Sequence, residues 1–308
     1  MSGRGRPRRL VLVGSVIVDV VMVVDALPPV GGDALARRSM LAVGGGHNVL
    51  TAAARQGLPA VYGGRHGDGP FGDRVRAALA AEDIAVPLPA TTGEDTGFCV
   101  ALVDGTGERT FVTSAGAEAH LTTDELARLD PRDGDAVCLS GYDLAYPHGP
   151  VVAPWIAALP AGIAVAFDPG PLVAGLTRDV LDPVLARTDW LSLNSREARL
   201  LTGADDPASA SATLAGRLAA DAGVVLRLGA DGCLLREPDG TTTRIPAPRV
   251  DAVDTSGAGD VHVGAFLAAL SRGLDTADAC RHANAAAAYA VARYGPATAP
   301  TLAEPDDG

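Results

Sequence analysis

Short apolar runs alternate along this chain with amphipathic stretches, and the spacing is that of strands followed by helices. Residues 10–14 form a continuous β-rich run, the kind buried on both faces of a parallel sheet. Residues 15–24 continue extended, with Asp19 their only charge. Similar runs at 61–64, 137–141, 164–168, 190–194 and 224–228 predict further core strands, and 233–236 begins another. Helical periodicity covers 49–56, 71–82, 154–159 and 277–293, with further helices opening near Glu197 and Ala258. Residues 98–103 and 109–113 break this rhythm. They are two short strands around Asp104-Gly105-Thr106-Gly107, a hairpin turn, and a hairpin inserted in an alternating chain reads as an appended lid. The expected architecture is a three-layer, doubly wound α/β sheet with a small β-hairpin lid.

Composition narrows the chemistry. With 308 residues, 47% hydrophobic and 20% charged, the chain can bury a large core. A formal net charge of −12 argues against nucleic acid or an anionic membrane as the main partner. All 25 Lys-plus-Arg positions are arginine. A Walker P-loop, a protein-kinase fold and a Schiff-base enzyme each need a lysine, so all three are excluded. Any phosphate must be neutralised by main-chain amides, arginine or metal. Cys99, Cys138, Cys233 and Cys280 are scattered in apolar surroundings and read as reduced core residues of a cytoplasmic protein. The six histidines lack metal-binding spacing. The basic start followed by apolar residues 10–24 mimics a signal peptide, but Asp19 interrupts the run and it is too short to span a bilayer. A frayed tail over 1–9 and a frayed end over 301–308 are expected instead.

The chemistry converges on Asp254-Thr255-Ser256-Gly257-Ala258-Gly259-Asp260, preceded by a short extended segment at 249–253 and followed by an apolar helix. A Gly-X-Gly turn that opens a helix presents unpaired first-turn amides and the positive end of the macrodipole, which suits an anion. Asp260 beside such a site makes sense as a base that removes the proton of a hydroxyl attacking phosphorus. The amides of Gly257, Ala258 and Gly259 would then steady the transferring charge. The bland alternative is a helix cap. Asp19, just past a strand end, is placed to accept hydrogen bonds from a polyol, or is a surface residue of a hairpin. Asn48, after Gly44-Gly45-Gly46-His47, holds a ligand hydroxyl or caps the next helix. One strand delivers Asn194 and, a turn later, Glu197.

These pieces, in this order, resemble the ribokinase-type (PfkB) carbohydrate kinases over residues 10–300. The resemblance rests on the seven residues ending at Asp260, the Gly44–Asn48 stretch, Asn194-Ser195-Arg196-Glu197 and Leu228-Gly229-Ala230-Asp231-Gly232. Within the family the chain is most similar to bacterial sugar kinases that share Gly107 to Phe111, Ser140-Gly141-Tyr142 and a histidine two places after the catalytic aspartate. The resemblance implies ATP and Mg²⁺ as cofactors, a sugar acceptor, and lid segments near 15–42 and 91–115. It implies Asp260 as base, with Gly257, Ala258 and Gly259 as anion hole. Asn194 and Glu197 would organise Mg²⁺, and Gly229, Gly232, Asn284 and Arg227 would line the nucleotide site. Asp19, Gly45, Asn48 and Arg109 would hold the sugar, and Asp254, Ser256 and Gly295 would lie at a potassium site. A homodimer through the lid is expected, because Phe98, Val100 and Leu102 give that sheet an apolar face.

The chain also departs from the pattern. Ile17 stands where an Asn faces the sugar in ribokinase proper, and the spacing from the glycine pair to Asn48 is one residue short. Arg227 replaces a Thr, and His262 takes an aromatic position as a packing residue or as polarity on the substrate side. The nearest rival is a nucleoside kinase of the same fold. A nicotinamide oxidoreductase is disfavoured because Gly14-Ser15-Val16-Ile17-Val18 is not GxGxxG. An inactive sugar sensor is disfavoured by the presence of both Asp260 and Glu197.

Overall fold

The computed structural model describes residues 6–302. In chain order the elements begin β1 (Arg9–Leu12), β2 (Val16–Val23), β3 (Arg38–Gly45), α1 (His47–Arg55), β4 (Ala60–Tyr62) and α2 (Pro70–Ala81). Then come β5 (Phe98–Val103), β6 (Arg109–Ser114), α3 (Thr123–Arg128), β7 (Asp135–Ser140), α4 (Gly141–Ala145) and α5 (Gly149–Ala157). The middle continues with β8 (Ala164–Asp168), α6 (Arg178–Arg187), β9 (Trp190–Asn194), α7 (Ser195–Thr202) and α8 (Pro207–Ala215). The chain closes with β10 (Gly223–Arg227), β11 (Cys233–Arg236), β12 (Thr242–Ile245), α9 (Ala258–Ser271) and α10 (Thr276–Val291).

An eight-stranded sheet has the order β12-β11-β10-β9-β8-β7-β1-β4. Its strands from β4 to β10 run parallel, while β11 and β12 are antiparallel. One face packs on α1, α2, α9 and α10, and the other on the helices from α3 to α8. Successive residues of β1 show why the strands read as unbroken apolar runs: Leu10 and Leu12 enter one core, Val11 and Val13 the other. Parallel strands covered on both sides have no solvent face to mark with polar residues. The three-layer expectation holds.

The second sheet is larger than a hairpin. Its order is β3-β2-β5-β6, with all eight residues of β3 paired antiparallel to β2. The sequence pattern missed β3 because Arg38-Ser39-Met40-Leu41 is a half-exposed edge without clean alternation, and β12, Thr-Thr-Arg-Ile, was missed for the same reason. Residues 249–253 form no strand. They form a loop laid against the end of α10, where the amides of Val253 and Asp254 both donate to the Val291 carbonyl. α5 starts earlier than its predicted 154, because Pro150 suits a helix start. Pro154, one turn on, gives up only the amide that would have bonded Pro150. Of the expected tails, residues 1–5 and 303–308 lie outside the described residues. Arg9 already belongs to β1, and the Arg8 amide donates to the Gly134 carbonyl.

Candidate active site

Parallel sheets collect polar groups at the carboxyl ends of their strands, where no neighbour covers the last residue. Here those last residues are Ser140, Asp168, Asn194 and Arg227. A cavity of about 330 Å³ opens beyond them, walled on the far side by Gly257, Ala258, Gly259 and Asp260 at the start of α9. A wider groove of about 500 Å³ lies between α5 and α6, and another of about 860 Å³ beside Arg6, Arg8 and Arg272. The first is lined mainly by Ala, Pro and Val, and neither brings together groups suited to group transfer, so the smaller cavity is the site.

The tip of α9 is built from close approach. Gly257 is left-handed, at φ 70°, and a Cβ there would sit 2.8 Å from Nδ2 of Asn48. A side chain would therefore be strained twice over. Among the described residues the amides of Gly257 and Gly259 donate to no protein group, while the Ala258 amide leans back to the Thr255 carbonyl at 3.4 Å. Asp260 is the third residue of the helix. Its Oδ2 accepts from Nδ2 of Asn48 at 3.1 Å, and Oδ1 of Asn48 accepts from the Ala297 amide at 2.8 Å. Asn48 thus aims the aspartate and does not cap α1. Burial, and next the charge of Asp168, push the Asp260 carboxyl up to about 7, against the pull of Asn48 and Arg227.

Glu197 and Asn194 form a reciprocal cap on α7: the Asn194 amide and Nδ2 donate to the Glu197 carboxylate at 2.8 and 2.7 Å, and the Glu197 amide donates back at 2.9 Å. Glu197 is buried and lines the cavity; burial, then the nearby Asp168 charge, raise its carboxyl above the ordinary value. Two crowded, desolvated carboxylates are a setting a divalent cation relieves. No group of three or more acidic, His or Cys side chains among the described residues can cage a metal, so a cation there would be held largely through water and substrate.

The lid sheet places Asp19 and Arg109 on one face. Asp19 is raised to about 6 by burial, with Arg109 opposing. Arg109 does not reach towards an acceptor as expected. Its Nη2 donates to Oδ1 of Asp254 at 2.5 Å, and that carboxylate also accepts from the amides of Ser256 (2.8 Å) and Gly295 (3.1 Å). Burial alone would raise Asp254, but the Ser256 and Arg109 hydrogen bonds hold it below the usual range. Asp254, Ser256 and Gly295, the residues expected at a potassium site, are drawn together by these hydrogen bonds.

Of the expected residues, Gly45, Glu197, Arg227 and the four from Gly257 to Asp260 line the cavity. Gly229 and Gly232, both at positive φ, form the turn that follows β10. Asn284 is not among the residues that line the cavity. It is buried, its Nδ2 donating to the carbonyls of Ile245 and Pro246 and its Oδ1 facing Nε2 of His262. His262 is accordingly a packing residue. Sequence reasoning missed Asp168, Ser192, Ser15 and Asp143. Asp168 ends an apolar strand just as Asn194 does, and that shared signal marked it.

Residues 7–302 match the pfkB family of carbohydrate kinases. The chain belongs to that family. It is 33% identical over 299 residues to the uncharacterised sugar kinase YegV of Escherichia coli, covering 96% of this chain and 92% of that one. It is 32% identical to the ATP-dependent ribose-1-phosphate kinase of Halopiger xanaduensis, covering 95% of each. The fold is shared with the ribokinase of Cryptococcus neoformans in complex with ADP, at a TM-score of 0.82 and 24% identity over 97% of this chain and 98% of that one. As a pfkB carbohydrate kinase the chain is an ATP-dependent phosphotransferase. Among the described residues no helix is long and apolar enough to cross a membrane.

Proposed function

We propose that this pfkB kinase transfers the γ-phosphoryl group of ATP to a hydroxyl of a small sugar, with Asp260 as general base. The observation that carries the reading is the Asp260 carboxylate, aimed by Asn48 and set at a cavity walled by unpaired helix-tip amides. The acceptor oxygen attacks phosphorus as the bond to the bridging oxygen of ADP breaks, and the hydroxyl proton passes to Asp260. The Gly257, Ala258 and Gly259 amides receive the charge dispersed over the transferring oxygens. Bound Mg²⁺ would neutralise phosphate charge. Glu197 and Asn194 would hold its waters, and their mutual cap fixes their position. Gly229 and Gly232 shape the turn on the nucleotide side. Gly45 and Asp19 line the acceptor side, and Arg109 ties the lid to the loop at Asp254, which excludes water from the reaction.

The lid sheet also supports a homodimer. Leu41, Val20, Val100 and Val112 form one cross-strand row, with Leu41 and Val112 exposed. Phe98, expected on that open face, instead packs on Phe71 of its own subunit. A second copy covering this row is tested by light scattering of the wild type and of Val112→Glu: a wild-type monomer rejects the assembly. The activity is tested with a panel of pentoses, hexoses, sugar phosphates and nucleosides read by acceptor-dependent ADP release. Turnover on a free sugar supports the reading, and turnover confined to nucleosides or to sugar phosphates replaces its acceptor.

A further inference from the structure

Arg227 is the only basic side chain among the residues lining the site cavity, which also carries Asp143, Asp168, Glu197 and Asp260. A nucleotide triphosphate entering there brings several more negative charges, and this chain contains no lysine to meet them. Arg227 is anchored at one end only. Its Nη1 donates to Oδ2 of Asp168 at 2.8 Å and to Oγ of Ser192 at 2.7 Å, reaching across β9 to do so. Its Nη2 lies 3.7 Å from the nearest Glu197 oxygen, beyond hydrogen-bonding range. The same side of the guanidinium packs on the anion-hole turn: a Cβ on Gly259 would meet Cζ and Nη2 at 3.2 Å. Among the described residues neither Nε nor Nη2 has a hydrogen-bond acceptor. A buried ion pair kept only for stability is commonly no better than an apolar pair of the same size. A guanidinium with one fixed and one open edge, beside the helix tip, has a use in holding an anion.

We propose that Arg227 is a catalytic residue whose open edge binds a non-bridging oxygen of the transferring phosphoryl group, with Asp168 and Ser192 as its positioning residues. The proposal rests on the kinase reading above and adds a charged donor to the neutral amides of the anion hole. It also explains how a chain with arginine in place of the threonine of the family pattern balances its carboxylates when the nucleotide is absent.

The test combines turnover with calorimetric binding of two probes, ADP and the β,γ-imido analogue of ATP, each with Mg²⁺. Arg227→Met should lower kcat by about 10²-fold or more and weaken the imido analogue at least about tenfold, with ADP affinity unchanged; Arg227→Lys should recover part of both losses. The pH profile separates electrostatics from packing. Asp260 is faced by Asp168 from β8, Arg227 from β10, Asn48 from α1 and Asp19 from β2. Removing the like charge in Asp168→Asn should move the acid limb of the profile to lower pH, and Arg227→Met should move it to higher pH. If Arg227→Met fails to fold, the double variant Asp168→Asn/Arg227→Met removes the Asp168 charge left unpaired and should show the same kcat loss. Retention of kcat within about threefold in either, or equal loss of ADP and imido-analogue affinity, overturns the proposal. Asp260→Asn run alongside keeps the two levels apart: an active Asp260→Asn enzyme removes Asp260 as the base of the proposed function, whereas an inactive one beside a fully active Arg227→Met enzyme defeats only this inference.

Discussion

The eight-stranded sheet and the four-stranded lid sheet solve different problems with the same chain. In the large sheet, strands such as β1 and β7 are buried on both faces, so the polar residues at their ends have nowhere to move. Asp168, Asn194 and Arg227 are therefore held by packing, and Glu197 by its reciprocal cap. In the lid, β6 is exposed along almost its whole length and β3 is an open edge. Its charged residues Asp19 and Arg109 are placed by strand pairing and by one ion pair to Asp254. The difference teaches where each kind of work is done. On the proposed function, groups that stabilise a transient charge stand on the buried sheet, and groups that enclose an acceptor stand on the exposed one.

The comparison is broken most severely at Asp260. Asp260→Asn should lower kcat by about 10²–10⁴-fold while the melting temperature and nucleotide binding stay close to wild type, as steady-state kinetics and calorimetry would show. Next, Leu191→Ala, at a fully buried position of β9, should cost about 2–5 kcal/mol of stability, measured by urea denaturation. The pH dependence follows from the raised carboxyl of Asp260. The base works only when ionised, so kcat/KM should fall about tenfold per unit as pH drops below about 7 and level off above it. A flat profile between pH 5 and 8 would remove Asp260 from the rate equation.

Smaller effects should come from the lid. Arg109→Ala cuts the tie to Asp254, and should raise KM for the acceptor about two- to fivefold with little change in kcat, the scale of a partly exposed ion pair. An accompanying rise in acceptor-independent ATP hydrolysis would sharpen the assignment of the lid to water exclusion. Least of all, Val112→Thr on exposed β6 should change monomer stability by no more than about 0.5 kcal/mol. If instead it destabilised the protein as Leu191→Ala does, the contrast between the sheets would be wrong.

Much of the large sheet was legible because periodicity reports burial, and its central strands are buried on both sides. The glycine-rich turn before Asp260 was legible for a related reason: only a helix start needs that pattern of small residues and unpaired amides. β3 and β12 were not, since half-exposed edge strands carry no alternation. The partners of Arg109, Asn48 and Asn284 were hidden too. Each lies far along the chain, and nothing local distinguishes an arginine that meets a sugar from one that meets Asp254.

By itself, then, the amino-acid order determined the layered α/β architecture, the helix tip that can hold an anion, and the aspartate beside it, all features written in residues that are neighbours in sequence. Only the tertiary structure decided which charges face one another. It seated Arg227 on Asp168 and Ser192 beneath the tip of α9, turned Asn48 onto Asp260, and gave Asp254 to a lid arginine. Electrostatic partnership depends on distance and burial in three dimensions, and strands far apart in sequence meet only when the sheet has formed.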